Sequence, residues 1–412
     1  MGRRRRGVRE SSFPPFTRLP SAVAPPFEPT VAVLPLELFA HVLSYVDEVD
    51  WRPWQADMAR CCLVSRAFLS LARPRLYRVL KFRLGEASNI SLQRHDTATL
   101  LMYETVCQNP DLALHVRRLQ LGFDGYRTYE LASTYLDMNE VLEGIFTSCT
   151  NLKELVVREG YTYPLAAALA SRNLRPRVRA LELGEVTDLA WLVLDLLRGS
   201  VQHLALQARD WASVQTMPRV VPPLPLTSLH ITCFRGTPVL SLTTLFNSIA
   251  STLTHLQISS PLTALPAFST VPNLRHLHLE FPSGNKERYF ADLSSLLDEC
   301  SNLHTLAISA PSIFTLSNIR TLSSSAPDAF PAHLPPSLER LHLRAPYFFP
   351  VDLIAILRAA PQAKKLGEIG REPYQLHLGK RDRKKRPELP THEEEEELER
   401  ECRKRGVRLV AL

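Results

Sequence analysis

Leu274-Arg275-His276-Leu277-His278-Leu279 holds in six residues the pattern that decides the fold. Apolar side chains stand at its first, fourth and sixth positions. The last two alternate with polar residues, so the phrase reads as a short strand with one face turned inward. The same apolar-x-x-apolar-x-apolar phrase runs along the chain as Val116…Leu119…Leu121, Leu152…Leu155…Val157, Val178…Leu181…Leu183, Val201…Leu204…Leu206 and Leu226…Leu229…Ile231. It continues as Leu253…Leu256…Ile258, Leu303…Leu306…Ile308 and Leu338…Leu341…Leu343, with weaker copies at Pro373…Leu376…Leu378 and Val407…Val410…Leu412.

Between the strand phrases lie runs with helical spacing: Val141 to Phe146, Leu189 to Leu197, Leu242 to Ile249, Leu293 to Leu297 and Leu353 to Leu357. Strand, turn, helix, strand makes a parallel βα solenoid. One such unit cannot bury its own apolar face, and stacked neighbours create the continuous core. Successive phrases start 21 to 36 residues apart, a range that overlaps the period of leucine-rich repeats and allows for insertions. Cys149-Thr150-Asn151-Leu152 and Cys300-Ser301-Asn302-Leu303 repeat one wording at the helix-to-strand junction. With them the chain resembles a leucine-rich-repeat protein, in which that cysteine packs inside. The resemblance implies an α/β fold, a right-handed βα solenoid with a parallel sheet, over residues 83–412. The ninth position departs from the family pattern, because Pro261, Pro282, Pro311 and Pro346 stand where Asn or Cys is usual. Proline has no N–H to satisfy, which puts a regular side-chain ladder along that turn in doubt.

The end of the chain spells a capping helix over 391–405. Thr391 and Glu394 have capping-box spacing, acidic residues fill the first turns, Arg403, Lys404 and Arg405 the last, and Gly406 follows. Glu396 with Arg400, Glu399 with Arg403 and Glu401 with Arg405 are expected i,i+4 pairs. A basic surface loop at 380–387 precedes this helix.

Near the other end, Leu34-Pro35-Leu36-Glu37-Leu38 opens a different pattern. Pro35 suits a first helical position, and Phe39, Val42, Leu43 and Val46 form one apolar stripe. A second helical run extends from Ala56 to Ala72, where Met58, Cys62, Phe68 and Leu71 can close a small core with that stripe. About fifty residues bury too little surface to be stable alone, so such a module calls for a partner. In order and spacing, residues 31–82 resemble an F-box. The resemblance implies a partner, the Skp-type linker of a cullin-RING ubiquitin ligase, bound by Leu34, Pro35, Leu36, Leu38, Leu43, Leu63 and Val64. An insert, Asp47 to Trp54, stands where the family has a short connection. It is expected to be a loop whose Trp51 and Trp54 pack on the module or touch its partner.

Composition narrows the remaining choices. The chain is 45% apolar and 22% charged, as in ordinary globular proteins. No apolar run is long enough to span a bilayer. The arginines at 3 to 6 lead into prolines rather than an apolar signal core, so a cytoplasmic or nuclear location is expected. Seven scattered cysteines without a Cys-x-x-Cys pair suggest neither a disulfide framework nor a zinc knuckle. The net charge of +7 is local: residues 1–30, a Pro-rich tail expected to be disordered, carry +4, Lys380 to Arg386 carry +5, and the rest sums to −2. Nucleic acid is therefore not an expected partner, although the basic tracts define an alternative in which the chain is a nuclear nucleic-acid-associated factor.

Strand periodicity turns the third and fifth positions of each phrase outward, onto the concave sheet face. Its candidate substrate-binding residues are His203, His230, His255, His276, His278, Arg340 and His342. The phrase supplies the histidines with no cysteine or carboxylate partner, so no metal site is expected. There is no Gly-rich phosphate loop, no Gly-x-Ser-x-Gly elbow and no His-Glu-x-x-His. Neither catalytic residues nor a cofactor are expected. The F-box resemblance implies a substrate-recognition adaptor of an SCF-type ubiquitin ligase, with the solenoid binding a protein substrate. A leucine-rich-repeat scaffold acting outside any ligase is the other reading.

Overall fold

Twelve strands line up in one sheet in the order of the chain: β1 Val79–Phe82, β2 Arg118–Leu121, β3 Glu154–Val157, β4 Ala180–Leu183, β5 His203–Ala208, β6 Ser228–Cys233, β7 His255–Ser259, β8 His276–Glu280, β9 Thr305–Ser309, β10 Arg340–Arg344, β11 Glu368–Arg371 and β12 Arg408–Ala411. All neighbours are parallel. The computed structural model of the chain describes residues 38, 41, 51–82, 101–122, 138–158, 160–171, 173–184, 186–208, 223–233, 245–259, 271–280, 297, 299–309, 334–344, 350–359, 364–371 and 391–411. The helices with complete bounds are α1 Trp51–Val64, α2 Arg66–Leu76, α3 Pro110–Ala113, α4 Met138–Ser148, α5 Thr162–Ser171, α6 Asp188–Leu197, α7 Pro350–Ala359 and α8 His392–Arg405. Residues divide into two compact units, Met1–Leu71 and Ala72–Leu412, with the division inside α2.

The second unit is the βα solenoid. Its strands are in register: Leu80, Leu119, Leu155, Leu181, Leu204, Leu229, Leu256, Leu277, Leu306, Leu341 and Ile369 follow one another from β1 to β11, every one at most 2% exposed. A second inward row runs from Phe82 through Leu121 and Val157 to Leu343. Helices cover these rows. Leu142 and Ile145 of α4, Leu165 and Leu169 of α5, Val193 and Leu197 of α6, and Leu353 and Leu357 of α7 belong to the same core. α4 packs on α5, α5 on α6, and α7 on α8.

Two hydrogen-bond ladders hold the repeats together at the strand N-termini. Each repeat offers one carbonyl that accepts two successive N–H groups of the next. Arg117 O takes Lys153 N at 2.8 Å and Glu154 N at 3.0 Å, and the pattern recurs at Lys153, Arg179, Gln202, Thr227, Thr254, Arg275, His304 and Glu339. Two residues before the first of these N–H groups, a polar side chain reaches back to the preceding repeat. The Asn151 amide donates to Leu114 O at 2.9 Å, Asn273 to Ser251 O at 2.9 Å, Asn302 to Pro272 O at 3.0 Å and the Ser337 hydroxyl to Ser301 O at 2.7 Å. Ser200 and Thr252 occupy the same place and reach Pro176 O and Leu224 O. Pro261, Pro282, Pro311 and Pro346, at the ninth position, lie outside the described residues, so the side-chain ladder that the structure describes runs before the strand.

Several boundaries differ from the sequence reading. β1 pairs with β2, so the sheet begins at Val79, inside the range read as helical module. Tyr77…Leu80…Phe82 is an unread copy of the phrase. Near the other end, β11 is Glu368–Arg371 rather than the copy at 373–378, which is outside the described residues. In β12, Leu409 pairs with the inward Ile369 and Val410 with the outward Gly370, one residue out of step with the expected phrase. A shift of one turns every side chain to the other face. In α8 the capping box is complete: Thr391 Oγ1 accepts from Glu394 N at 3.3 Å, Glu394 Oε2 accepts from Thr391 N at 2.9 Å, and Gly406 closes the helix at φ 69°. Glu399–Arg403 and Glu401–Arg405 pair as expected, but Glu396 meets His392 at 3.4 Å instead of Arg400.

In the N-terminal unit the expected single helix over 56–72 is two. Ser65 separates α1 from α2, its hydroxyl accepting from Phe68 N at 3.2 Å as an N-cap does. The backbone of Trp51, Pro53 and Trp54 is helical rather than looped. Proline is tolerated in a first turn, where its missing N–H has no helical acceptor. The side chains of both tryptophans lie outside the description.

Leu277→Ala is expected to lower unfolding free energy by about 2–5 kcal/mol, since the row collapses poorly around a cavity. Asn302→Ala should cost about 0.5–1.5 kcal/mol, the net value of one hydrogen bond. Urea unfolding of both variants checks the order; an Asn302 variant losing as much as the Leu277 variant contradicts the division of roles.

Candidate protein-binding face

The outward side chains of the sheet fall into rows because register is shared by all strands. The first row reads Arg118, Glu154, Ala180, His203, Ser228, His255, His276, Thr305, Arg340, Glu368 and Arg408. The second contains Glu182, Ala205, His230, Gln257, His278, Ala307 and His342. All seven expected substrate-face residues therefore stand on two adjacent rows, with His255 directly beside His276.

A third row escaped the six-residue phrase, which stops one residue short of it: Arg158, Gln207, Thr232, Ser259, Glu280 and Ser309. Its signal is the polar residue that follows the last apolar position in copy after copy. Arg158 Nη1 lies 2.6 Å from Glu182 Oε1 and donates to Gln207 Oε1 at 3.2 Å, while Gln207 Nε2 donates to Glu182 Oε1 at 3.0 Å. Gly122, at φ 137°, makes room for this cluster, since a Cβ there would collide with Arg158 Cβ. At the other end Glu368 receives both Arg408 and, at 3.1 Å on its other oxygen, His342 Nε2. Those two partners, Arg408 first, hold the Glu368 carboxyl below its ordinary range.

Between these ion-paired ends lie the histidines. The rings of His255 and His276 stack with centroids 4.2 Å apart and planes 14° from parallel. The Thr254 hydroxyl is 2.8 Å from His255 Nδ1. His230 Nε2 is 3.2 Å from Thr232 Oγ1, and His278 Nε2 is 2.8 Å from Ser309 Oγ. Burial pushes the pKa of His230 down, against the pull of Glu182 and Glu280. Burial also lowers His255, helped by His203, and lowers His276, helped by His255, His304, Arg340 and Arg275. These three imidazoles are therefore largely uncharged near neutral pH, while Arg340 in the same row is cationic. Among the described residues no group of three or more His, Cys, Asp or Glu is arranged to hold a metal ion. The thiols of Cys149 and Cys300 are buried and pushed up to about 12 by desolvation, so their nucleophilic thiolate form is inaccessible at neutral pH.

Of the expected linker-binding residues, Leu34, Pro35, Leu36 and Leu43 lie outside the described residues. Leu38 is 49% exposed, and Leu63 and Val64, the last two residues of α1, are 87% and 67% exposed. Met58, one of the four residues read as a small core, is buried, while Cys62, Phe68 and Leu71 are half-buried. No helix among the described residues is long and apolar enough to cross a membrane.

No protein-family profile matches the chain, and no curated protein matches it. Among solved structures it is similar to the leucine-rich-repeat-containing protein LegL7 from Legionella pneumophila, at 15% identity and a TM-score of 0.37, over 71% of this chain and 81% of that one.

The lowered imidazole pKa values give stability a pH dependence with a definite sign. The unfolded chain takes up protons near pH 6.5 while folded His230, His255 and His276 do so only at lower pH, so stability falls as pH drops below about 6.5. His255→Gln with His276→Gln should lose less melting temperature than the wild type between about pH 7.5 and pH 5. Equal losses in thermal melts contradict the assignment.

Proposed function

We propose that the chain is a protein-binding adaptor that recruits substrates to an SCF-type ubiquitin ligase. Residues 31–82 dock a Skp-type linker and the solenoid face captures a protein substrate, in the cytoplasm or the nucleus. The chain itself performs no covalent chemistry in this reading; the ligase's other subunits ubiquitylate what the solenoid holds. The observation that carries it is the exposure of Leu63 and Val64, adjacent residues at the end of α1. Removing such side chains from water favours association by about 1.5–3 kcal/mol each. They belong to the segment whose order and spacing resemble an F-box, and both are among the residues that this resemblance assigns to the linker.

The solenoid supports the other half of the reading. A sheet buried on one face by helices leaves the opposite face for a partner, and repeat proteins use such extended surfaces for binding. The order and spacing of the N-terminal segment favour the ligase-bound reading over a free-standing scaffold.

Leu63→Ala with Val64→Ala is expected to weaken affinity for a Skp-type linker by about tenfold or more, as loss of central apolar anchors does. Leu34→Ala with Pro35→Ala should act in the same direction, and neither pair should change the melting of the solenoid. Calorimetric titration with purified linker decides it: unchanged affinity in both variants leaves a scaffold acting outside the ligase.

A further inference from the structure

We propose that His255, His276 and Arg340, with Arg275 and His304 beside them, form a docking site for an acidic protein segment that binds more tightly as pH falls. The inference rests on the reading of the sheet face as the substrate-capturing surface and names the chemistry of what it captures.

The argument starts from what surrounds each histidine. His342 has the carboxylate of Glu368, and His230 feels Glu182 and Glu280. His278 shares a hydrogen bond with Ser309. His255 and His276 instead stack on each other. Among the described residues, the charged or titratable groups that act on the pair are basic: His203 from β5, Arg275 preceding β8, His304 preceding β9 and Arg340 of β10. Their other neighbours in the row, Ser228 on β6 and Thr305 on β9, carry no charge. Glu339, exposed just before β10, is the acidic residue at this edge. Basic groups from β5 and β10 and from the residues just before β8 and β9 converge on two stacked imidazoles, and the complement of that arrangement is a ligand bearing several negative charges.

Geometry gives the ligand its form. β7 to β10 span about 14 Å at the usual strand spacing, which an extended chain crosses in about four residues. Two carboxylates on alternate residues of such a segment reach the imidazole pair and Arg340 together. Parallel imidazole planes resist double protonation until an anion is present, because like charges at this distance disfavour each other and an opposite charge favours both. Binding an acidic segment and protonating the pair thus reinforce each other, a linkage in which lower pH strengthens binding and bound ligand raises the proton affinity of the rings.

Fluorescence anisotropy of the full chain with a labelled polyglutamate peptide, against a polyglutamine peptide of the same length, tests this. A half-unit rise in each imidazole pKa on binding corresponds to about a tenfold tightening between about pH 7.5 and pH 5.5. His255→Gln with His276→Gln should abolish that pH response while leaving binding near pH 7.5, and Arg340→Gln should weaken binding at both pH values while keeping the response. Affinity that ignores both sets of substitutions belongs to the basic runs near residues 3–6 and 380–386 and overturns the proposal. So does an equal pH response with polyglutamine or with a single-stranded oligonucleotide. Linker affinity measured on the same preparations separates the two readings: lost peptide response with intact linker binding sinks this inference alone, whereas lost linker specificity with intact peptide response sinks the ligase assignment.

Discussion

One carbonyl per repeat governs this molecule. By accepting two consecutive N–H groups from the next repeat at each junction from Arg117 to Glu339, it locks the register of each strand against its neighbour. A slip of one residue would turn the leucine row into solvent and the histidine row into the core, so the lock and the hydrophobic effect enforce each other. Side chains of Asn151, Asn273, Asn302 and Ser337 reinforce the same junction from two residues away. The repeats vary in length, yet this junction does not, and that is how insertions are tolerated without loss of the core.

The face opposite the core inherits its order from that lock. Because the strands share one register, charges placed far apart in sequence meet as lateral neighbours. Arg158, Glu182 and Gln207 come from three successive repeats, and so do His342, Glu368 and Arg408. Ion pairs at both ends leave a central zone of imidazoles and small polar residues, where desolvation keeps His230, His255 and His276 neutral near physiological pH.

The N-terminal unit obeys a different economy. With α1 and α2 interrupted by the Ser65 cap, it is a short helical module in which Met58 is buried while Leu63 and Val64 stand in solvent. Apolar side chains that local packing leaves uncovered favour association with a partner. The chain thus carries two different kinds of exposed surface, one apolar and small, the other extended and polar.

The leucine phrase was legible from sequence because strand periodicity is local: alternation at Leu277 and Leu279 depends on nothing beyond neighbouring residues, and the parallel βα solenoid followed from its recurrence. So was the outward placement of His203, His230, His255, His276, His278, Arg340 and His342. The ends were harder to read. At β11 and β12 the apolar signal weakens, and pairing to the preceding strand chose Ile369 and Leu409 over the residues the phrase suggested. The helix break at Ser65 rested on a cap that competes with a continuous apolar pattern. What only the tertiary structure decided is which side chains meet: the His255–His276 stack, the partners of Glu182 and Glu368, and the side-chain ladder before β3, β5 and β7 to β10. Those contacts join residues from different repeats, and their geometry exists only once the strands lie side by side in register.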